Sequence, residues 1–233
     1  MNISEAMVKQ VILEVLHQMQ PNGKTTVRQE EQVPPLSFKE LGTAKPGTDR
    51  NEVVIGLPPA FGKAMTKTII NIPHNEVLRE VMAGIEEEGL KARLVKVNKT
   101  ADVGFIGHEA AKLSGSGVGI GIICRGTSVI HQKDLAPLQN LELFPQSPLV
   151  ERETFRAMGR NAAKYAKGER PNPVPVRNDP MARPKYQGLA ALLHNKETQY
   201  VKPDMPCMEL ACSVKSVEET YSWLQPKSAF LRK

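Results

Sequence analysis

The five histidines (His17, His74, His108, His131, His194) and three cysteines (Cys124, Cys207, Cys212) are the first places to look for chemistry. None has metal-ligand spacing. There is no H-E-x-x-H and no C-x-x-C, and Cys207 and Cys212 stand five apart with no flanking histidine. An odd cysteine count without a framework reads as free thiols in a reducing cytosol. His74 follows Pro73 where a helix should start, which suits a capping or core residue. No G-x-S-x-G elbow and no G-K-[ST] phosphate loop occurs. What remains is a glycine-rich run over 114–121 leading into Cys124-Arg125-Gly126-Thr127. A dinucleotide fingerprint should follow a strand and open a helix; here strand-like residues follow, so that reading is weak. Gly117, Gly119 and Gly121 alternate, baring one strand face to a flat ligand or another backbone. Arg125 and Thr127 put a cation and a hydroxyl at a strand's carboxyl end, where open α/β sheets favour ligands. The pair suits a phosphate or an amide-rich ligand, and an ordinary surface turn is the competing reading.

The elements that must position this cluster read as an α/β layered domain with a mostly parallel sheet. Strands are expected over 53–55, 92–97, 118–123 and 128–131, with further candidates at 68–72 and 189–201. Val103 to Ile106 is another short apolar run, and 110–113 reads as a short helix. Asn75 to Glu88 carries Val77, Leu78, Val81, Met82 and Ile85 on one helical face, with Gly89 as its stop. A second helix spans 151–167. Five prolines between 170 and 184 predict an extended surface arm. Before the core, residues 3–19 carry an apolar stripe (Ile3, Met7, Val8, Val11, Ile12, Val15, Leu16, Met19) that ends at Pro21 and Gly23. Residues 21–51 show no periodicity and read as a flexible linker. The division is thus a tethered helix at 1–20, a linker at 21–51, a core at 52–201 and a tail at 202–233, which contains the sole tryptophan, Trp223.

The 233 residues and 25.7 kDa allow one sizeable domain with appendages. No apolar run approaches the ~18 residues of a membrane span, and Lys9, Gln10 and Glu14 interrupt any secretory signal. The net charge of +6 concentrates between residues 152 and 185, where nine basic residues face three acidic ones. Arg152, Arg156, Arg160 and Lys164 recur every four residues, with Lys167 extending the row, so one helix presents a cationic ridge. Such a row is a solvated face or a docking face. Nucleic acid is disfavoured, because aromatics are only 5% of the chain and none interleaves with the ridge. The mixed charge on the first helix favours a protein groove over a membrane surface.

The runs 72–74 (IPH), 78–81 (LREV), 83–89 (AGIEEEG), 113–117 (LSGSG), 129–132 (VIHQ), 140–146 (NLELFPQ), 161–167 (NAAKYAK), 181–185 (MARPK) and 196–198 (KET) stand in an order that resembles the medium (beta) subunit of adenosylcobalamin-dependent diol and glycerol dehydratases. The resemblance covers about 52–201, and the N-terminal extension is similar to the diol-dehydratase branch. It implies a three-layer α/β/α domain with a mixed, mostly parallel sheet, similar to class II tRNA synthetase anticodon-binding domains. It implies large and small subunits as partners in a dimer of heterotrimers, a lyase converting 1,2-propanediol or glycerol to aldehydes, and radical chemistry on the large subunit's barrel. Cobalamin contacts carried over by position fall on Asp102, Arg125, Thr127, Leu138, Asn140, Pro145 and Arg183, and no catalytic residue falls on this chain. The D-x-H-x-x-G motif is absent, so His108 is not expected to ligate cobalt. The charge of 152–185 is then expected to face a partner subunit and the cofactor's phosphate. Residues 1–20 are expected to dock on the shell of a cytoplasmic bacterial microcompartment. Arg125 stands where the family usually has Lys, Pro58 replaces a Gly, and Gln139 replaces a Ser. The small subunit of the dehydratase-reactivating chaperone, which shares the fold without binding cobalamin, and an RNA-binding module are the alternative readings.

Overall fold

Val53, Val54, Ile55 and Leu57 are all buried, so their strand is covered on both faces, as a central parallel strand must be. A computed structural model of the chain describes residues 37–175 and 177–212. The helix expected at 1–20, most of the linker, Trp223 and the weak helical pattern around Val217, Tyr221 and Leu224 lie outside the described residues.

Seven strands form one sheet: β1 (Phe38–Thr43), β2 (Glu52–Leu57), β3 (Lys91–Lys96), β4 (Val118–Ile122), β5 (Ser128–Gln132), β6 (Glu142–Phe144) and β7 (Met208–Cys212). Their spatial order is β1-β7-β3-β2-β4-β5-β6. The helices are α1 (His74–Glu87), α2 (Val103–Leu113), α3 (Arg152–Ala166) and α4 (Ala182–Thr198). On one sheet face Val53, Ile55, Leu57 and Ile120 join α1 and α3 in the larger core. On the other, Val54, Val95 and Val97 pack under Ile106 and Ala110 of α2. Helix, sheet and helix make the expected three layers.

The sheet is mixed but not mostly parallel. Only β2–β3 and β2–β4 are parallel; β1–β7, β3–β7, β4–β5 and β5–β6 are antiparallel. The cause is connection length. β2, β3 and β4 are joined by helical crossovers, whereas the short links after β4 and β5 only permit reversal. Residues 68–72 are a turn rather than a strand. Asn71 has φ 65, and Thr68 and Ile72 close the loop on each other. The apolar run at 103–106 is the first part of α2. The segment 189–201 belongs mostly to a helix, because Ala190, Ala191, Leu192 and Leu193 are good helix formers. Pro184 sits in that helix's first turn, where a missing N–H costs nothing.

β1 lies within the stretch read as a linker, and β7 within the stretch read as a divergent tail. Neither short strand stands out in the sequence, because both gain their partners from far along the chain. A bulge between Glu40 and Gly42 kinks β1 at the sheet edge. Arg93 of β3 ties these strands in. Its guanidinium donates to both carboxylate oxygens of Glu209 at 2.8 and 2.7 Å, and to Glu52 and the carbonyls of Lys45 and Leu113.

The cationic ridge of α3 is not free. Arg152 pairs with Glu76, Arg156 with Glu80 and Glu87, Arg160 with Glu87, and Lys164 and Lys167 with Glu88. The Arg156 guanidinium holds the Glu87 carboxyl below its usual range. The ridge therefore meets an acidic row on α1 and on Glu88 just beyond it. Two glycines let the helices meet this closely. A Cβ on Gly84 would lie 2.1 Å from the Arg156 carbonyl oxygen, and one on Gly159 would lie 2.2 Å from that of Val81.

Gly159→Ala is expected to force these helices apart and lower stability by about 1–3 kcal/mol. Gly188→Ala, in α4 with open space around it, should raise stability by roughly 0.5–1 kcal/mol. Urea unfolding of the two variants checks both signs.

Candidate functional site

The Cys124-Arg125-Gly126-Thr127 cluster forms the tight turn between β4 and β5. Ile123 N–H donates to the Thr127 carbonyl at 3.1 Å, and Gly126 N–H to that of Ile123 at 2.9 Å. Gly126 has φ +104, a conformation that excludes most side chains. The turn is buried apart from Arg125, which is half-buried. Its remaining polar groups therefore need protein partners. Ile69 N–H, from the 68–72 turn, donates to the Arg125 carbonyl at 3.1 Å. Ser128 Oγ donates to the Gly126 carbonyl at 3.0 Å.

His74, the first residue of α1, supports the turn from below. It is fully buried, and its ring stacks on Phe61 with centroids 3.8 Å apart. Nδ1 accepts from Gly62 N–H at 3.0 Å, which leaves Nε2–H to donate to the Cys124 carbonyl at 2.8 Å. Burial pushes its pKa down to about 4, so the imidazole is neutral. The core reading of His74 holds.

Arg125 Nε donates to Thr127 Oγ1 at 3.1 Å, leaving the two terminal nitrogens at the mouth of a groove. The groove has a volume of about 770 Å³. Arg125, Pro145, Gln146 and Ser147 line one side, and Arg183, Tyr186, Gln187 and Ala190 of α4 the other. A second depression, between Phe144 and Arg177, has about 10 Å³, room for a single water.

Glu142 holds the approach to α4. Its carboxylate accepts from Asn161 Nδ2 at 2.8 Å and from Val174 N–H at 2.8 Å. Burial pushes the neighbouring Tyr165 phenol up to about 12, with the Glu142 charge adding to the effect. This network fixes the proline-rich arm, whose Val174 enters the core.

Of the seven carried-over positions, Arg125, Pro145 and Arg183 line the groove, and Thr127 joins through Arg125. Asp102, Leu138 and Asn140 are not among its lining residues. Asp102 caps α2, its carboxylate accepting from Gly104 and Phe105 N–H at 2.9 and 3.2 Å. Leu138 and Asn140 are exposed on the loop between β5 and β6. That loop passes α2 closely: a Cβ on Gly104 would lie 2.9 Å from the Pro137 carbonyl oxygen. The alternating glycines serve a backbone rather than a flat ligand. A Cβ on Gly119 would strike Ala111 N at 2.3 Å, and one on Gly121 would strike Gly107 N at 2.6 Å. Gly117 stands apart as a turn residue with φ +79.

Tyr186, Gln187 and Glu197 were not singled out from the sequence. Tyr186 and Gln187 lie three and four residues beyond Arg183, one helical turn along the same face. They were legible only if 182–198 was read as a helix. Gln146 was within reach, since it follows Pro145 in the run 140–146.

Among the described residues no group of three or more His, Cys, Asp or Glu side chains could hold a metal ion. No described helix is long and apolar enough to cross a membrane. The groove presents cations, amides and a phenol. The sequence model of the family described as dehydratase medium subunit matches residues 58–172. The core of the chain belongs to that family. Membership makes the medium-subunit core part of a diol or glycerol dehydratase complex with large and small subunits, in a family of coenzyme B12-dependent dehydratases. Two solved structures are similar to it. One, described as a glycerol dehydratase reactivase, is 20% identical, with 57% of this chain and 97% of that one covered and a TM-score of 0.42. The other, of a diol dehydratase-reactivating factor complexed with ADP and Mg2+, is 27% identical over 55% and 97%, with a TM-score of 0.38.

The buried imidazole sets a pH dependence. The folded medium subunit keeps His74 neutral down to about pH 4, whereas the unfolded chain protonates it near 6.5. Protons therefore favour the unfolded chain as pH falls through that window, at up to about 1.4 kcal/mol per pH unit. Glu197, whose pKa burial raises, acts with the opposite sign. Comparing the pH slope of urea unfolding between wild type and His74→Gln isolates the histidine. The variant should show the smaller loss of stability between pH 6.5 and 4.5.

Proposed function

We propose that this medium subunit helps hold adenosylcobalamin against the large subunit of a propanediol (diol) dehydratase, through the groove between the β4–β5 turn and α4. The reading rests most heavily on one observation: Arg125, Pro145 and Arg183, three positions carried over from the family, line the same groove.

The residues present fit such a cofactor. Gln146 Nε2 donates to Asn178 at 2.7 Å, but its buried Oε1 has no partner, and an orphaned acceptor at a groove wall calls for a donor such as a ligand amide. Arg125 and Arg183 supply charge for a phosphate, and Gln187 adds amide hydrogen bonding at the rim. Arg125 replaces a point charge by a planar fork held by Thr127, so two N–H directions are set before a ligand arrives. When bound, the cofactor supplies the radical chemistry that converts diols or glycerol to aldehydes on the large subunit. This chain's residues orient its rim and keep water from it. Asp102, Leu138 and Asn140 serve as a separate contact region beside the N-terminus of α2. Residues 1–20 act outside this site, as a docking segment for a microcompartment shell, supported by their apolar stripe.

The complex assembled from large, medium and small subunits should form aldehyde from 1,2-propanediol only with adenosylcobalamin. Arg125→Ala and Arg183→Ala should each raise the cofactor concentration for half-maximal activity about tenfold, the scale of one lost charge-assisted contact, without preventing assembly. Unchanged cofactor dependence in both would overturn the assignment, and capture of a chaperone ATPase subunit instead of the large subunit would point to a reactivating factor. Deleting residues 1–20 should leave activity intact and abolish encapsulation, scored by co-purification with shells.

A further inference from the structure

Glu197 is the most deeply buried carboxylate among the described residues, with 1% of its surface exposed. It lies in the last turns of α4, seven residues beyond Ala190, on the helix face that carries the groove-lining positions. Oε1 accepts from Cys124 N–H at 2.7 Å. Oε2 has no hydrogen-bond partner, and His194 Nδ1 stands 3.9 Å from it. A carboxylate buried with one oxygen unmatched is costly, so the contact it does make is retained at a cost to stability. α4 otherwise buries little: only Ala182 and Glu197 of its residues are buried.

The other backbone polar group of Cys124 is also taken, because His74 Nε2–H donates to its carbonyl at 2.8 Å. Side chains from two helices thus grip the N–H and the C=O of the residue immediately before Arg125. We propose that Glu197 is a positioning residue, which ties α4 to the β4–β5 turn and so sets the placement of Arg125 opposite Arg183 across the groove. The binding side of this inference rests on the cobalamin reading above; the positioning side does not. The Glu197–Cys124 contact joins helix, turn and groove width, and a ligand spanning both arginines would feel its loss without touching Glu197.

Three variants separate positioning from bulk stability. Glu197→Gln keeps an oxygen acceptor at full reach. Glu197→Asp keeps the charge but falls one methylene short. Glu197→Leu removes the acceptor. Amide hydrogen exchange of the full chain should quicken at least tenfold at Cys124 and Gly126 in the Asp and Leu variants and stay near wild type in the Gln variant. In the assembled complex, cyanocobalamin affinity should fall about tenfold in the same two variants. On an Arg125→Ala background the Glu197→Leu effect should largely vanish, since both changes act through one guanidinium. Should the Leu variant not fold, the contrast of Asp with Gln decides. Equal exchange in Asp and Gln variants, or full additivity with Arg125→Ala, overturns the proposal. If the wild-type complex binds no cyanocobalamin, the cofactor reading fails, and the exchange contrast alone still judges the role of Glu197.

Discussion

A turn that ends a central strand inside the protein must find partners for its peptide groups without water. That constraint falls on Cys124, Arg125 and Gly126, and several elements are arranged to meet it. The 68–72 turn supplies Ile69 N–H, α1 supplies His74, α4 supplies Glu197, and the start of β5 supplies Ser128. Each partner is worth a modest net stabilisation, but leaving any one group unmatched costs the full desolvation penalty. The turn is therefore held from several directions, and Arg125, its one half-exposed side chain, stands on a fixed base. Preorganisation of this kind lowers the ordering cost a ligand would otherwise meet.

The charge of the molecule follows a similar logic. The basic excess along α3 is consumed by the acidic row of α1, and the Gly84–Gly159 crossing brings the two rows into register. Exposed pairs of this kind add little stability singly; their role is to specify how the helices lie. Arg183 on α4 is a different case, since it remains at the groove with no ion pair among the described contacts.

The sequence carried the helices α1 and α3 and the strands β2 to β5, because their apolar periodicity is local and strong. It did not carry β1 and β7, which are short, half-exposed and paired only with distant segments. It misread 68–72 because Thr68, Ile69, Ile70 and Ile72 are strand formers, while Asn71 in a left-handed conformation makes the chain turn. It misread 189–201 because an apolar run of that length fits a strand or a helix, and the prolines before it suggested no helix at 182. The ridge on α3 is visible in the sequence, but its acidic partners lie 69 to 79 residues earlier, and no local pattern joins the two. At the site, Arg125, Thr127, Pro145 and Arg183 were legible. Glu197 stands within the run 196–198, but nothing in its local sequence announces burial against Cys124.

The central claim is that the groove between the β4–β5 turn and α4 holds the rim of a cobalamin. A structure of the chain assembled with large and small dehydratase subunits and cyanocobalamin tests it most directly. The account predicts cofactor side groups within hydrogen-bonding distance of Arg125 and Arg183, with Gln146 Oε1 accepting from a cofactor amide. A cofactor bound elsewhere, with both arginines turned to solvent or to another subunit, would contradict it.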